Sequence, residues 1–194
     1  MTPSLADLHT EMLNASARMP YSAMRRLWSM GADRRFTARL RGAGDLGVTA
    51  VDVEGSTWAP GTRERRLLVG VRCNGDLIDM VALSSTRRDE WALRTGLGWA
   101  LGMDQIERAH AALASDHRHV KLRLHATPFD WMAAAGDGVC VLDWCAASLA
   151  ELRMLGGRAT LEVAPGAREG LENLLVYGGL PRVSERADGM GIAA

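Results

Sequence analysis

The stretch "RRLLVGVRCNGDLIDMVAL", residues 65–83, constrains the fold more than any other part of the chain. Two runs rich in Val, Leu and Ile flank Asn74-Gly75, the pair preferred in a tight hairpin turn. The stretch reads as a β-hairpin, and a chain that carries one must find its two strands a shared buried face.

Around the hairpin the signals change. "SLADLHTEMLNASAR" reads as a helix: Ser4 can cap it, Asp7 follows three residues on, and Leu5, Leu8 and Met12 recur at helical spacing. Pro20 ends it. Ser22 is placed to cap a second helix that runs to Met30 and stops at Gly31. "RGAGDLG" reads as a loop, "VTAVDVEG" as an alternating strand and "APG" as a turn. Beyond the hairpin, Asp89 to Ala114 is mixed, with "DQIERAHAALA" as its helix.

From residue 119 the chain alternates. Strand 119–126 leads to a helix opened by Pro128 and broken at Gly136-Asp137-Gly138. Strand "GVCVLDW" and helix "AASLAELRMLGG", stopped by Gly156, come next, then strand "RATLEVA" and a helix from Pro165 to Gly178. The expected fold class is α/β, or α+β: N-terminal helices, a β-hairpin, then a βαβαβα mostly parallel sheet flanked by helices. The divisions are 1–61, 62–118, 119–180 and a tail at 181–194, within one compact globular unit. In such sheets ligands bind beyond the carboxyl ends of the strands, here near Thr127, Asp143 and Ala164.

Charge narrows the function classes. The formal net charge is zero, which does not advertise general affinity for polyanions. Its distribution is uneven: residues 1–45 hold seven Arg and four acids, and residues 127–194 hold five Arg and nine acids. Within the basic segment, Arg25, Arg26, Arg34 and Arg35 are candidates to contact nucleic acid or another anion. The N-terminus has acids and no apolar core, and no apolar run approaches a membrane span, so no membrane partner is expected. Cys73, Cys140 and Cys145 lack the pattern of a disulfide framework or a zinc site, and reduced thiols in a cytoplasmic setting are the expectation. Six Trp supply core and interface anchors, which leaves an oligomer open.

The stretch "SDHRHVKLRLHATPFDW" carries a second candidate surface. In an extended strand His117, His119, Lys121, Arg123 and His125 share one face. His117 and His119 would project about 7 Å apart and can share an ion; His125, about 20 Å beyond His119, cannot join them. The row is open to three readings: a solvated, salt-bridged face, an anion-binding or nucleic-acid-binding face, and a metal pair. No metal site is assigned. Acids on strands are the catalytic candidates: Asp52 and Glu54 share one face of "VTAVDVEG", and Asp143 ends another strand. Mg²⁺ enters only if these carry phosphoryl-transfer or hydrolytic chemistry, and no other cofactor is expected. Gly42-Ala43-Gly44-Asp45-Leu46-Gly47 fits a dinucleotide fingerprint by letter, but a strand follows it where a helix is needed.

"RERRLLVGVRCNGDLIDMVALSS" resembles the hairpin that precedes the Toprim domain of bacterial replicative primases. "LRLHATPFDWMAAAG" is similar to the first Toprim strand and helix, with Phe129-Asp130 matching the later part of its motif. "GVCVLDWCAASLAELRMLG" and "ATLEVAPGAREGLENLL" are similar to the next two strand–helix pairs. Where the family has its glutamate and glycine this chain has Ala126 and Thr127, and around its metal-binding Asp-x-Asp pair it has Ala164 to Gly166. The resemblance implies a degenerate, non-catalytic Toprim-like core. By that resemblance the protein is an accessory that binds nucleic acid or another protein, from a bacterial or mobile-element replication system. The enzyme and a structural or oligomerisation module are the alternatives.

Overall fold

The computed structural model describes residues 3–115, 119–165 and 167–177. Three helices open the chain: α1 (Leu5–Ala17), α2 (Tyr21–Ser29) and α3 (Arg34–Gly42). Five strands follow: β1 (Leu46–Glu54), β2 (Thr57–Pro60), β3 (Glu64–Cys73), β4 (Asp76–Leu83) and β5 (Trp91–Leu93). Then come β6 (Ala100–Leu101), α4 (Met103–Ser115), β7 (Val120–His125), α5 (Pro128–Ala133), β8 (Val139–Val141), α6 (Ala146–Met154), β9 (Ala159–Glu162) and α7 (Arg168–Tyr177). No described helix is long and apolar enough to cross a membrane.

The fold is mixed α/β, but it is not the mostly parallel βαβαβα sheet that the alternation predicts. The first five strands close a barrel in the order β1-β2-β5-β4-β3. The second sheet has the order β6-β8-β7-β9: β7 runs parallel to β8 and β9, and β6 is antiparallel to β8. Two local causes explain the difference. "APG" is not a turn: Thr57–Pro60 form β2, with Pro60 at its end, where one missing donor costs the ladder least. The hairpin also does not stand alone, because β3 takes β1 as its second neighbour from Leu46↔Val69 to Val51↔Glu64.

The hairpin turn itself is as expected. Asn74 and Gly75 adopt φ of 52° and 87°, the two positive values that a type I′ turn requires. Alternation in β3 and β4 then sorts the side chains. Leu68, Met80 and Ala82 join Val51, Trp58 and Ala92 in a cluster that draws on all five barrel strands. Leu8, Met12 and Ala15 of α1 complete it. Helix α1 starts on a full capping box: Ser4 Oγ accepts from Asp7 N, and Asp7 Oδ2 accepts from Ser4 N at 3.0 Å. The other face of the hairpin, with Leu67, Val69, Val71, Val81 and Leu83, packs on α2, α5 and Cys140 of β8.

One buried carboxylate organises the exit from the barrel. Asp79 of β4 has no exposed surface. Its Oδ1 accepts from the amides of Met80, Arg94 and Thr95 at 2.7–3.0 Å, and its Oδ2 from those of Leu97 and Gly98 at 3.0 Å. Such a site needs a backbone that comes very close. A Cβ on Gly98 would stand 2.7 Å from both Asp79 Cβ and Val71 Cγ1. The 94–98 loop, which carries the chain from β5 to β6, is thereby held against the barrel wall.

The second sheet is covered on one side. Leu122 and Leu124 of β7 pack with Val139, Val141 and residues of α4 and α6. On the opposite side Lys121 and Arg123 stay exposed. Helix α5 has six residues, and its Phe129 and Met132 go to the barrel-facing core, so it leaves that side of β7 and β9 in water. This is the physical reason that the sheet is not flanked by helices on both faces.

Asp79→Asn puts an amide nitrogen among inward-pointing N–H donors, and is expected to cost about 3 kcal/mol. Gly98→Ala, which must displace Val71 or the Asp79 backbone, is expected to cost about 1–3 kcal/mol. Urea unfolding of both variants tests this; a loss under about 1 kcal/mol in Asp79→Asn would remove the carboxylate from its organising role.

Candidate anion-binding site

Six of the seven arginines of the basic N-terminal segment lie on a helical pair, α2 and α3. In α2, Met24 and Leu27 are buried while Arg25 and Arg26 face solvent. In α3, Thr37 is buried while Arg34, Arg35 and Arg39 face solvent. Trp28 Nε1 donates to Thr37 Oγ1 at 3.0 Å, and the Arg34 guanidinium lies 5.2 Å from the Trp28 ring centroid. Arg41 reaches back to the carbonyl of Met19 at 3.3 Å, and Arg39 lies over Phe36. These contacts position the arginines without neutralising them.

The acids of the same segment are all engaged elsewhere. Asp7 caps α1, and Asp33 caps α3 through Phe36 N at 2.7 Å. Glu11 grips Arg94 with two 3.0 Å bonds, and Asp45 grips Arg72 of β3 through Nε and Nη2. Among the described residues, none of the seven arginines from Arg18 to Arg41 makes an ion pair. Sequence reading finds Arg25, Arg26, Arg34 and Arg35, and the structure brings them onto two neighbouring helices.

Beside α2 lies a cleft of about 270 Å³ between its first turn and strands β1 and β3. Leu27, Val48, Leu67 and Phe129 give it an apolar floor. Arg26, Arg65, Arg66, Ser22 and Ser85 supply its polar residues, and no carboxylate among the described residues lines it. Arg65 is exposed and has no ion-pair partner among the described residues. Arg66, next in β3, also borders the cleft, but alternation along the strand sends its side chain the other way from Arg65. It is 3% exposed, and its guanidinium meets Glu64 at 2.9 Å and also Glu90, so its charge is spent inside the fold. Its Nη1 is buried and unbonded.

Ser22 does not cap α2. The helix starts two residues earlier, behind Pro20, with no side-chain cap and no acid in its first turn. Pro20, Ser22 and Ala23 therefore bring an uncapped helix N-terminus, with its partial positive charge, to the edge of the cleft. Arg65 and Ser85 are the residues of this cleft that sequence reading misses. The one available signal is the placement of Arg65 at the start of a hairpin strand, on the same face as Leu67.

The other candidates are used differently. His119 Nε2 pairs with Thr160 Oγ1 at 2.6 Å, Lys121 with Glu162 at 3.4 Å, and Arg123 with Asp137 at 3.2 Å. The His125 ring contacts the Asp137 carbonyl at 2.6 Å. Lys121 and Arg123 of the strand row are thus ion-paired at the surface; His117 lies outside the described residues. Asp52 Oδ1 accepts from the amides of Thr62 and Arg63, which fastens the β2–β3 turn. Glu54 is exposed at the end of β1, and Asp143 is exposed after β8. Among the described residues, no group of three or more His, Cys, Asp or Glu could hold a metal ion, so these three acids do not assemble one. The glycine-rich 42–47 segment leads from a helix into a strand, the reverse of what a dinucleotide site needs.

At the carboxyl end of β7, Ala126 precedes Thr127, which N-caps α5 through Asp130 N. Asp130 in turn pairs with Arg88 at 2.9 Å. Neither Cys73 nor Cys140 is prepared as a nucleophile. The Cys73 thiol donates to Glu107 at 3.1 Å, and that carboxylate, with partial burial, pushes it up to about 11. Burial pushes Cys140 up to about 12. No family model, curated protein or solved structure matches the chain.

Cys73 is expected to alkylate slowly near neutral pH and faster as the pH approaches about 11. Because its folded value lies above the ordinary 9.0, the thiol's contribution to stability is full below that value and is lost as pH rises through about 11. Glu107→Gln removes the adjacent anion, lowers the thiol's pKa and speeds iodoacetamide labelling at Cys73, read by peptide mass spectrometry. Equal rates in the two proteins would rule out the Glu107 effect.

Proposed function

We propose that this protein is a non-catalytic accessory that associates with nucleic acid through its N-terminal helical pair. The observation that carries the reading is the segregation of charge: seven arginines without an ion pair among the described residues, next to four acids committed to caps and to Arg94 and Arg72. Phosphates are the natural partners for such a surface, because each neutralised phosphate releases condensed counterions. Contacts of this type position a protein on a strand without choosing a sequence.

The reading includes a Toprim-like α/β unit built from β7, α5, β8, α6, β9 and α7. Its support is the parallel pairing of β7 with both β8 and β9, the arrangement that two crossover connections produce. A role in a bacterial or mobile-element replication system follows from the same resemblance. The phosphoryl-transfer alternative, with Asp52, Glu54 and Asp143 on Mg²⁺, is weaker: Asp52 and Glu54 line one cleft, but Asp143 is not part of it and Asp52 is occupied in a turn.

Binding to short single-stranded and duplex DNA at low salt should weaken steeply as salt rises. Replacing Arg25, Arg26, Arg34 and Arg35 by Ala should flatten the log–log slope by about 0.9 per lost phosphate contact on duplex. Lys121→Ala and Arg123→Ala should change it little, since Glu162 and Asp137 already hold those charges. Fluorescence anisotropy across a salt series reads both effects. No binding at about 50 mM salt, or a slope indifferent to the four arginines, would sink the proposal.

A further inference from the structure

We infer that the cleft between α2 and the barrel receives a phosphate monoester, with the esterified group lying on its apolar floor. The inference deepens the nucleic-acid reading and rests on it where the phosphate is the end of a strand.

Four features converge there. Arg26 and Arg65 enter from two different elements, α2 and β3, and neither has an ion-pair partner among the described residues. Ser22 and Ser85 add hydroxyl groups that can donate to phosphate oxygens. The uncapped first turn of α2 adds partial positive charge without a competing acid. Among the described residues, no carboxylate lines the cleft to repel an anion. A cavity of about 270 Å³ is near the lower bound for small-ligand pockets. It has room for a phosphate and one ring, and not for a helix or a duplex.

The charge state sharpens the chemistry. A phosphodiester carries one negative charge, whereas a monoester approaches two above its second pKa of about 6. Two guanidinium groups can each make a charge-assisted bond to the monoester dianion. The exposed helical arginines, Arg25, Arg34 and Arg35, meet the diester backbone instead. The cleft therefore distinguishes a phosphorylated strand end from a hydroxyl end, while the helices hold the strand.

The test compares a 5′-phosphorylated single strand with the same strand ending in hydroxyl, by anisotropy on the whole protein. The phosphorylated strand should bind about tenfold more tightly, the gain expected from one added charge-assisted contact. Arg65→Ala and Arg26→Ala should each abolish that preference, whereas Arg35→Ala should weaken both strands equally. Arg26 and Arg65 are exposed and have no ion-pair partner among the described residues, so both variants should keep the native urea midpoint. Equal binding of the two strands, or a preference that survives Arg65→Ala, overturns the inference and leaves the nucleic-acid reading standing. Phenyl phosphate and inorganic phosphate form the second arm, read as a rise in Tm. A rise that needs Arg65, with no binding of either strand, would uphold the cleft as a monoester site and remove the nucleic-acid reading. Binding of neither strand and no rise with either phosphate overturns both.

Discussion

The buried carboxylate of Asp79 is the interaction on which the arrangement of the two sheets depends. A charge with no exposed surface is costly unless its lone pairs are filled, and here five backbone amides fill them. Four of the five come from the loop 94–98, so the desolvation of one side chain fixes the path of that loop. The loop begins where β5 closes the barrel against β2 and ends where β6 joins β8. If it were free, the barrel and the second sheet would be joined by a glycine-rich tether.

Arginine–carboxylate pairs complete the joints. Arg94 follows β5 and binds Glu11 of α1, so the same loop that Asp79 anchors also holds the first helix. Arg72 sits at the register shift between β3 and β4 and closes on Asp45, just before β1. These bidentate pairs are partly buried, and their geometry matters more to them than raw charge. They have an electrostatic consequence for the surface. Each removes from the N-terminal segment an acid that would otherwise offset its arginines. What the formal count shows as a modest local excess of positive charge becomes, in space, a helical pair whose arginines have no carboxylate partner among the described residues.

The open side of the second sheet shows the opposite outcome. Its basic row has equal formal claim to be an anion site, since Lys121 and Arg123 point the same way into water. Glu162 on the neighbouring strand and Asp137 in the loop before β8 meet that row. Periodicity along β7 reveals which residues share a face. It carries no information about which acids a parallel neighbour, about 40 residues away, will bring alongside.

Much of the local structure was legible in the residues. The α1 capping box, the Asn74-Gly75 turn, the Pro128 helix start and the strand–helix alternation after residue 119 each depend on neighbours within a few positions, and each formed where those neighbours stand. Barrel closure was not legible. Strands β5 and β6 have three and two residues, too few for any period, and Pro60 disguises β2 as a turn. Helix α3 escaped notice because Arg-rich "RRFTARLRG" shows so narrow an apolar stripe. The candidate cleft divides the same way. The sequence by itself determined that the N-terminal segment is basic and helical as far as Met30, and that the hairpin has an apolar face. Only the tertiary structure decided that Arg26 and Arg65 share a cleft and that Asp7, Glu11, Asp33 and Asp45 are spent elsewhere. Pairing between distant charges is set by packing, and packing is a property of the whole chain.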